Sequence, residues 1–502
     1  MTIAGPTLPY AFAKKHGVVL LELGETARVG LREHADVRAL VEVRRVVGRP
    51  LRVEPLSAGP FDRRLSEIYA DDQLGGADAA YDLSLPSELD SLIEDMPAAA
   101  DLLETVDDAP VIRLINGLIA EAVRAGASDV HVEPYESALL VRMRVDGVLT
   151  EMLRLAPRIT PLLVSRIKVM ARLDIAERRV PQDGRIPLTL GGKSLDVRVS
   201  TLPSRAGERV VLRILDKDQA NLRLEELGMD PAVLGDFRAA LREPNGIVLV
   251  TGPTGSGKTT SLYAGLSLLN DSSRNILTIE DPVEYVMDGV GQTQVNTRVG
   301  MTFASGLRAI LRQDPDVVMV GEIRDVETAQ IAVQAALTGH LVLSTVHTND
   351  AAGAVTRLRD MGVEPFLLAS TLRLIVAQRL VRRLCVACRR PEPADASAAR
   401  LVGVDPGAMV WRPTGCPDCY QSGYAGRIGV YEAIRVDEKI RALVAESADE
   451  SMIAAAASER SGNLTRRARA MVLSGATSVE EAVRVTRQAA TSVPEAASHD
   501  LV

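Results

Sequence analysis

The chain has 502 residues, 58 Lys plus Arg against 66 Asp plus Glu for a net charge of −8, 3% aromatic residues and four cysteines. At about 150 residues per domain this is material for about three domains with ample cores, and an acidic balance poor in aromatics argues against a chain that grips nucleic acid through a basic, base-stacking surface. The opening MTIAGPTLPYAFAKKHGVVLLEL lacks a charged n-region followed by an apolar one, and no apolar run approaches the ~20 residues that span a bilayer, so a cytoplasmic location is expected.

The predicted organisation, in chain order, begins with a small α/β module over residues 1–70, whose runs GVVLLEL and RPLRVEPL indicate strands. Residues 71–108 then hold 12 acidic residues and no Lys or Arg, leaving the remainder almost balanced. Such a stretch reads as a solvated linker, with one short helix around LPSELDSLIEDM. Residues 109–218 read as an α+β domain. APVIRLINGLIAEAVRAG places Val111, Leu114, Ile115, Leu118, Ile119 and Val123 at helical spacing. ALLVRMRVDGVLTEM alternates about an Asp146-Gly147 turn as a β-hairpin does. The strands of this domain carry Arg142, Arg144, Arg198, Arg209 and Arg213 on one face, which is either a solvated surface or a functional one.

Residues 219–380 are expected to form an α/β core. GIVLVTGPTGSGKTTSLY runs from an apolar strand through Gly252, Pro253, Thr254, Gly255, Ser256, Gly257, Lys258, Thr259 and Thr260 into a helix. That context is the one a phosphate-binding loop requires: glycines let backbone N–H groups face phosphates at a helix N-terminus, Lys258 reaches the β- and γ-phosphates, and the Thr259 hydroxyl ligates Mg²⁺. NILTIEDPVEY, DVVMVGEIRD and HLVLSTVHTND read as further strands, ending near Glu280, Asp281 and Glu284, near Glu322, and near His347. In a parallel sheet ligands collect at the carboxyl ends of strands, where one carboxylate serves Mg²⁺ and another orients water. Asp281 and Asp325 are equally suited to capping helices, and His347 to a hydrogen-bonded turn.

All four cysteines lie in RRLCVACRR and GCPDC, as two Cys-x-x-Cys pairs with 27 residues between them. In a reducing compartment such pairs are metal ligands before they are disulfides. Thiolates of Cys385, Cys388, Cys416 and Cys419 would make a closed tetrahedral Zn²⁺ site in a subdomain over 381–430, stapling an insertion (about 384–420) with little apolar material of its own. Arg382, Arg383, Arg389 and Arg390 would favour the thiolates or form a basic surface for a partner or lipid headgroups; a redox switch is the alternative. A C-terminal helical region (431–490) and a disordered tail (491–502) complete the chain.

From residue 109 to about 485, the phosphate loop, TIEDPVEY, GQTQVN, FASGLRAILRQDPDVVMVGEIRD, TGHLVLSTVHTNDA and the cysteine knuckle together resemble the type II/type IV secretion ATPases. These are motors of protein secretion and pilus assembly, and LPYAFAKKHGVVL is similar to the type II secretion members. The resemblance implies a RecA-like core after a PAS-like α+β domain and a homo-hexamer binding ATP between subunits. It further implies docking of the N-terminal module on a bitopic inner-membrane protein and engagement of a polytopic platform protein; the acidic balance and scarce aromatics leave no nucleic-acid partner expected. It assigns catalysis to Glu284, support of Mg²⁺ to Glu322, and completion of a neighbour's site to Arg198, Arg209 and Arg213, with Arg308 and Arg312 as candidates from the core. Retraction motors of the family generally lack the tetracysteine knuckle; a type IV pilus assembly ATPase, and more remotely a DNA-transfer ATPase, are the alternatives.

Overall fold

The computed structural model describes Leu8, residues 12–13, 16–24, 26–33, 35, 37–57, Phe61, 109–190, 193–216 and 223–490. The acidic linker, with the short helix expected in it, and the C-terminal tail lie outside these residues. The chain divides into two units, residues 1–218 and 219–502.

In the first unit, β1 (Val18–Leu23), β2 (Ala27–Arg32), α1 (Ala39–Val47) and β3 (Leu51–Leu56) build a three-stranded sheet ordered β1-β2-β3, antiparallel then parallel. The parallel pair is possible because α1 carries the chain back between its strands. Val43 and Val47 of that helix are buried with Val18, Leu20 and Val29.

Residues 109–216 comprise α2 (Ala109–Arg124), β4 (Ala127–Pro134), β5 (Leu139–Val145), β6 (Val148–Leu155), α3 (Thr160–Met170), β7 (Gln182–Leu190), β8 (Lys193–Ser204) and β9 (Gly207–Asp216). The strands form an antiparallel sheet ordered β6-β5-β4-β9-β8-β7. Asp146 and Gly147 join β5 to β6 with φ of 49° and 85°, the two left-handed residues that a tight hairpin turn needs. Alternation along the strands sends Val130, Val132, Val141, Val197, Val199, Val210 and Leu212 into one core, which α2 and α3 close with Leu114, Leu118, Leu163 and Ile167. The intervening polar residues therefore share the opposite face.

The second unit contains α4 (Pro231–Leu241), β10 (Gly246–Thr251), α5 (Lys258–Leu269), β11 (Ile276–Glu280), β12 (Gly291–Gln294), α6 (Phe303–Ile310), β13 (Val317–Val320), α7 (Val326–Leu337), β14 (Leu341–Val346), α8 (Ala351–Asp360), α9 (Pro365–Thr371) and β15 (Leu372–Leu384). It continues with β16 (Arg390–Pro393), α10 (Ala396–Val402), β17 (Met409–Arg412), β18 (Tyr424–Arg435), α11 (Glu438–Ala445), α12 (Glu450–Ser461), α13 (Leu464–Leu473) and α14 (Val479–Ala490). Its central sheet is ordered β12-β11-β13-β14-β10-β15-β18, parallel except for the edge strand β18. Strands β10, β13 and β14 are buried at every residue, because helices cover both faces. Ile247 and Leu249 of β10 enter one core with α7 and α8, while Val248 and Val250 enter the other with α4 and α5. Among the described residues no helix is long and apolar enough to cross a membrane.

The insertion departs from the expectation of an apolar-poor loop. Ala394, Ala399, Val402, Val404 and Val410 join the same core as Val472, Val479 and Val485 of the C-terminal helices. These five insertion residues are small and enclosed, whereas Val386, Leu401 and Met409 remain exposed. The knuckle also grows directly from the central sheet: β15 and β18, paired antiparallel, run across the expected limits at 380/381 and 430/431.

Candidate active site and metal centre

Between the end of β10 and the start of α5 the chain curls through Gly252, Gly255 and Gly257, with φ of 147°, 78° and 84°. Side chains are disfavoured there, and a Cβ at Gly252 would lie 2.4 Å from the carbonyl oxygen of Gln378. The first N–H groups of α5 lack intrahelical partners and, with the helix dipole, favour an anion. Ser256 Oγ is buried without a hydrogen-bond partner, and Thr259 is exposed in the first turn. Lys258 is buried: its Nζ donates to the carbonyls of Gly252 (2.8 Å) and Pro253 (3.0 Å) and lies 3.5 Å from His347 Nδ1. Burial pushes its pKa from 10.5 down to about 8, with Glu322 pulling it up and Arg379 pushing it down. A buried ammonium held mainly by loop carbonyls, beside an orphaned serine hydroxyl and an exposed threonine, fits a nucleoside triphosphate with Mg²⁺.

Strands β11, β13 and β14 end at Glu280, Val320 and Val346, so Glu284, Glu322 and His347 fall on the loops beyond them. Glu322 is held between Arg324 (2.5 Å) and His347 Nε2 (3.1 Å). The structure thus brings Lys258, His347 and Glu322 together, with His347 between the other two. Glu284 is anchored elsewhere, its N–H donating to the Tyr263 hydroxyl at 3.3 Å. Asp325 caps α7 by accepting the Thr328 N–H at 2.8 Å. Arg308 is paired with Glu327 at 2.5 Å, and Arg312 is exposed.

On the polar sheet face of residues 109–216, Glu133 accepts from Arg142 (2.8 and 2.9 Å) and from Arg209, and its side chain is 2% exposed. Asp129 accepts from Arg213 at 3.0 Å and lies 3.9 Å from Arg144. Arg198 stands in register with Arg213 on one side and Arg185 on the other. Like charges directly opposite one another destabilise a sheet, and in this row Asp129 offsets the charge of Arg213. Arg185, Asp129 and Glu133 are not among the sequence-derived site residues. Alternation alone offers them, but only the pairing register puts them beside the arginines.

Cysteine sulfurs approach at 3.9 Å (Cys385–Cys416), 3.8 Å (Cys388–Cys419) and 3.7 Å (Cys416–Cys419), all four within 4.8 Å of one another. These separations far exceed the ~2.05 Å of a disulfide. They match the ~3.8 Å between sulfurs placed tetrahedrally about 2.3 Å from Zn²⁺. Burial pushes the Cys419 thiol up, but N–H groups of Cys416 and Gly423, each 3.2 Å from its sulfur, outweigh it and bring the pKa to about 7. Burial pushes Cys416 up to about 12. The neighbouring arginines are not all thiolate partners: Arg382 binds Glu481 (3.0 Å) and stacks on Tyr424, and Arg389 stacks on Trp411 at 4.6 Å. Arg383 and Arg390 remain exposed.

The family model described as type II/IV secretion system protein matches residues 104–484, and a second model, for an N-terminal domain of GSPII protein E, matches residues 7–69. The type II secretion system protein E of Klebsiella pneumoniae is 53% identical over 483 residues, covering 96% of this chain and 97% of that protein. The type II secretion system ATPase E of Vibrio cholerae is 51% identical over 492 residues, covering 96% and 97%. The solved structure of the Legionella pneumophila ATPase DotB is similar in fold, with a TM-score of 0.56 and 22% identity over 74% of this chain and 95% of that one. The phosphate loop, the strand-end acids and the knuckle all lie inside the matched span, and the chain belongs to the type II/IV secretion system protein family.

Proposed function

We propose that the chain works as a hexamer recruited to the cytoplasmic face of the inner membrane, where ATP hydrolysis drives pseudopilus assembly. It is a type II secretion ATPase, hydrolysing ATP to power protein export. The observation that carries this reading is the convergence of Lys258, His347 and Glu322 at the carboxyl ends of β10, β14 and β13.

When nucleotide enters, Lys258 exchanges the carbonyls of Gly252 and Pro253 for the β- and γ-phosphates, regaining the proton that burial weakens. Gly252 to Thr260 cradle the phosphates with backbone N–H groups. Thr259, with Glu322 behind it, would hold Mg²⁺. The ion, once bound, neutralises charge developing on the phosphate oxygens. Glu284 orients the attacking water, and His347 steadies Glu322. Arg198 and Arg213 reach the phosphates of a neighbouring subunit. Arg209 and Arg213 do so by giving up Glu133 and Asp129, the carboxylates they hold in this structure. Cys385, Cys388, Cys416 and Cys419 would hold a structural Zn²⁺ that ties β15 to the insertion. Residues 7–69 supply the dock for the bitopic membrane partner, and the exposed arginines of the knuckle face the membrane assembly and its polytopic platform.

Subunit mixing tests the shared site. Arg198→Ala and Lys258→Ala should each abolish turnover alone, and mixed hexamers should recover a fraction of it, since some interfaces then join an intact loop to an intact arginine. No recovery, with subunit exchange verified, would overturn the sharing of sites. Stimulation of turnover by single-stranded DNA would instead favour a nucleic-acid motor.

A further inference from the structure

We propose that Tyr263, Glu280 and Gln292 form a hydrogen-bonded strut that fixes the backbone at Glu284, making Tyr263 and Gln292 positioning residues for the carboxylate that orients water. The inference rests on the reading of Glu284 given above.

Glu280 ends β11 and is 2% exposed. One of its oxygens accepts from the Tyr263 hydroxyl; the other accepts from Thr278 Oγ1 at 2.5 Å and Gln292 Nε2 at 3.2 Å. Enclosed by the protein and held by three fixed donors, this carboxylate is placed as an anchor for the loop rather than as a second catalytic acid. Burial raises its pKa, and the three donors oppose that shift. What it does instead is fix the direction of the Tyr263 O–H. Having donated to Glu280, the phenolic oxygen is left as an acceptor for the Glu284 N–H at 3.3 Å; Gln292 Nε2 lies 3.4 Å from it and has its two N–H groups for its nearer partners, the Tyr285 carbonyl and Glu280.

Gln292 completes the strut from the other end of the loop. Its Oε1 accepts the Met287 N–H at 2.8 Å, and its Nε2 donates to the Tyr285 carbonyl at 2.9 Å. The loop between β11 and β12 is therefore tied at residues 284, 285 and 287 to two side chains, one on α5 and one on β12. Tyr263 further packs edge-on against Tyr285, with ring centroids 6.1 Å apart and planes at 71°. Tyr263 lies five residues after Lys258 on the same helix, so the helix that receives the phosphates also sets the position of Glu284.

A hydrogen-bonded network with a buried centre rigidifies what it holds, and misplacing a reacting group by about 1 Å lowers rates by about 10²-fold. Tyr263→Phe removes the hydroxyl and keeps the ring and its contact with Tyr285. Its turnover should fall by about 10- to 100-fold, with nucleotide Kd unchanged within about twofold. In a Glu284→Gln background the same change should alter residual turnover by less than about twofold, because no carboxylate remains to be positioned. Gln292→Leu should repeat both results should Tyr263→Phe fold poorly. Three outcomes overturn the proposal. Wild-type turnover in Tyr263→Phe with Glu284→Gln impaired removes the strut alone. An undiminished effect of Tyr263→Phe in the Glu284→Gln background makes its role general rather than directed at Glu284. Wild-type turnover in Glu284→Gln itself removes the reading of Glu284, and the strut with it.

Discussion

The phosphate loop and the cysteine knuckle lie on the same central sheet, yet they treat their polar groups in opposite ways. At the loop the functional groups are held by exchangeable partners: Lys258 by the carbonyls of Gly252 and Pro253, Glu322 by Arg324 and His347, while Ser256 Oγ has none. At the knuckle the four sulfurs face one another within 4.8 Å, and backbone N–H groups are already spent on Cys419. A site that turns over must release what it binds, so it is built from contacts that cost little to trade. A site that only holds a fold closes on its ligand and leaves no open position.

The sharpest way to break this contrast is to remove the exchangeable cation. Lys258→Ala should lower ATP turnover by at least about 10³-fold, since no other cation of the loop meets the γ-phosphate, while metal analysis of the same protein finds the knuckle unchanged. Next in size, Glu284→Gln should slow hydrolysis by about 10²- to 10⁴-fold with ATP still bound. Glu322→Gln should instead weaken the Mg²⁺ dependence of binding or turnover. Indistinguishable affinity and rate in the two variants would show that their roles are not divided.

Much of this contrast is legible in the sequence, and unevenly so for physical reasons. Local signals carry far: Asp146-Gly147 closes a hairpin because both residues take left-handed φ, and the loop glycines are needed where the backbone passes against Gln378. Contacts set by register or by long separations do not show. The row Arg185, Arg198, Arg213 exists only through the pairing of β7, β8 and β9, and Tyr263 meets Glu280 and Gln292 from 17 and 29 residues away. Arginine chemistry next to cysteines reads as thiolate support, whereas Arg382 and Arg389 are taken up by Glu481, Tyr424 and Trp411. Composition likewise hides the insertion's share of the core, because Ala394, Ala399, Val402 and Val410 are small but wholly enclosed.

At the knuckle, purified protein should carry one zinc per chain, and Cys→Ser at 385, 388, 416 or 419 should release it. Loss of a structural zinc forfeits a large part of the ~10–16 kcal/mol seen in zinc-folded peptides, so limited trypsin digestion should then cut first after Arg383 or Arg389. Zinc-free protein with the wild-type digestion pattern would remove the structural role. The smallest effect is one of pH. Free Lys258 titrates near 8 and its ordinary value is 10.5; phosphates restore the proton, so between these values nucleotide binding takes one up and affinity falls as pH rises. Calorimetry in buffers of different ionisation enthalpy should show uptake approaching about one proton near pH 9, and none near pH 7.

The separation of the two sites is tested most directly by titrating ATP, without turnover, into one preparation before and after a chelator strips its zinc. The account predicts a nucleotide Kd unchanged within about twofold, because the loop and the strand-end acids draw their contacts from the sheet and not from the knuckle. A Kd that weakens in step with zinc loss would contradict it, and would make the knuckle part of the nucleotide site.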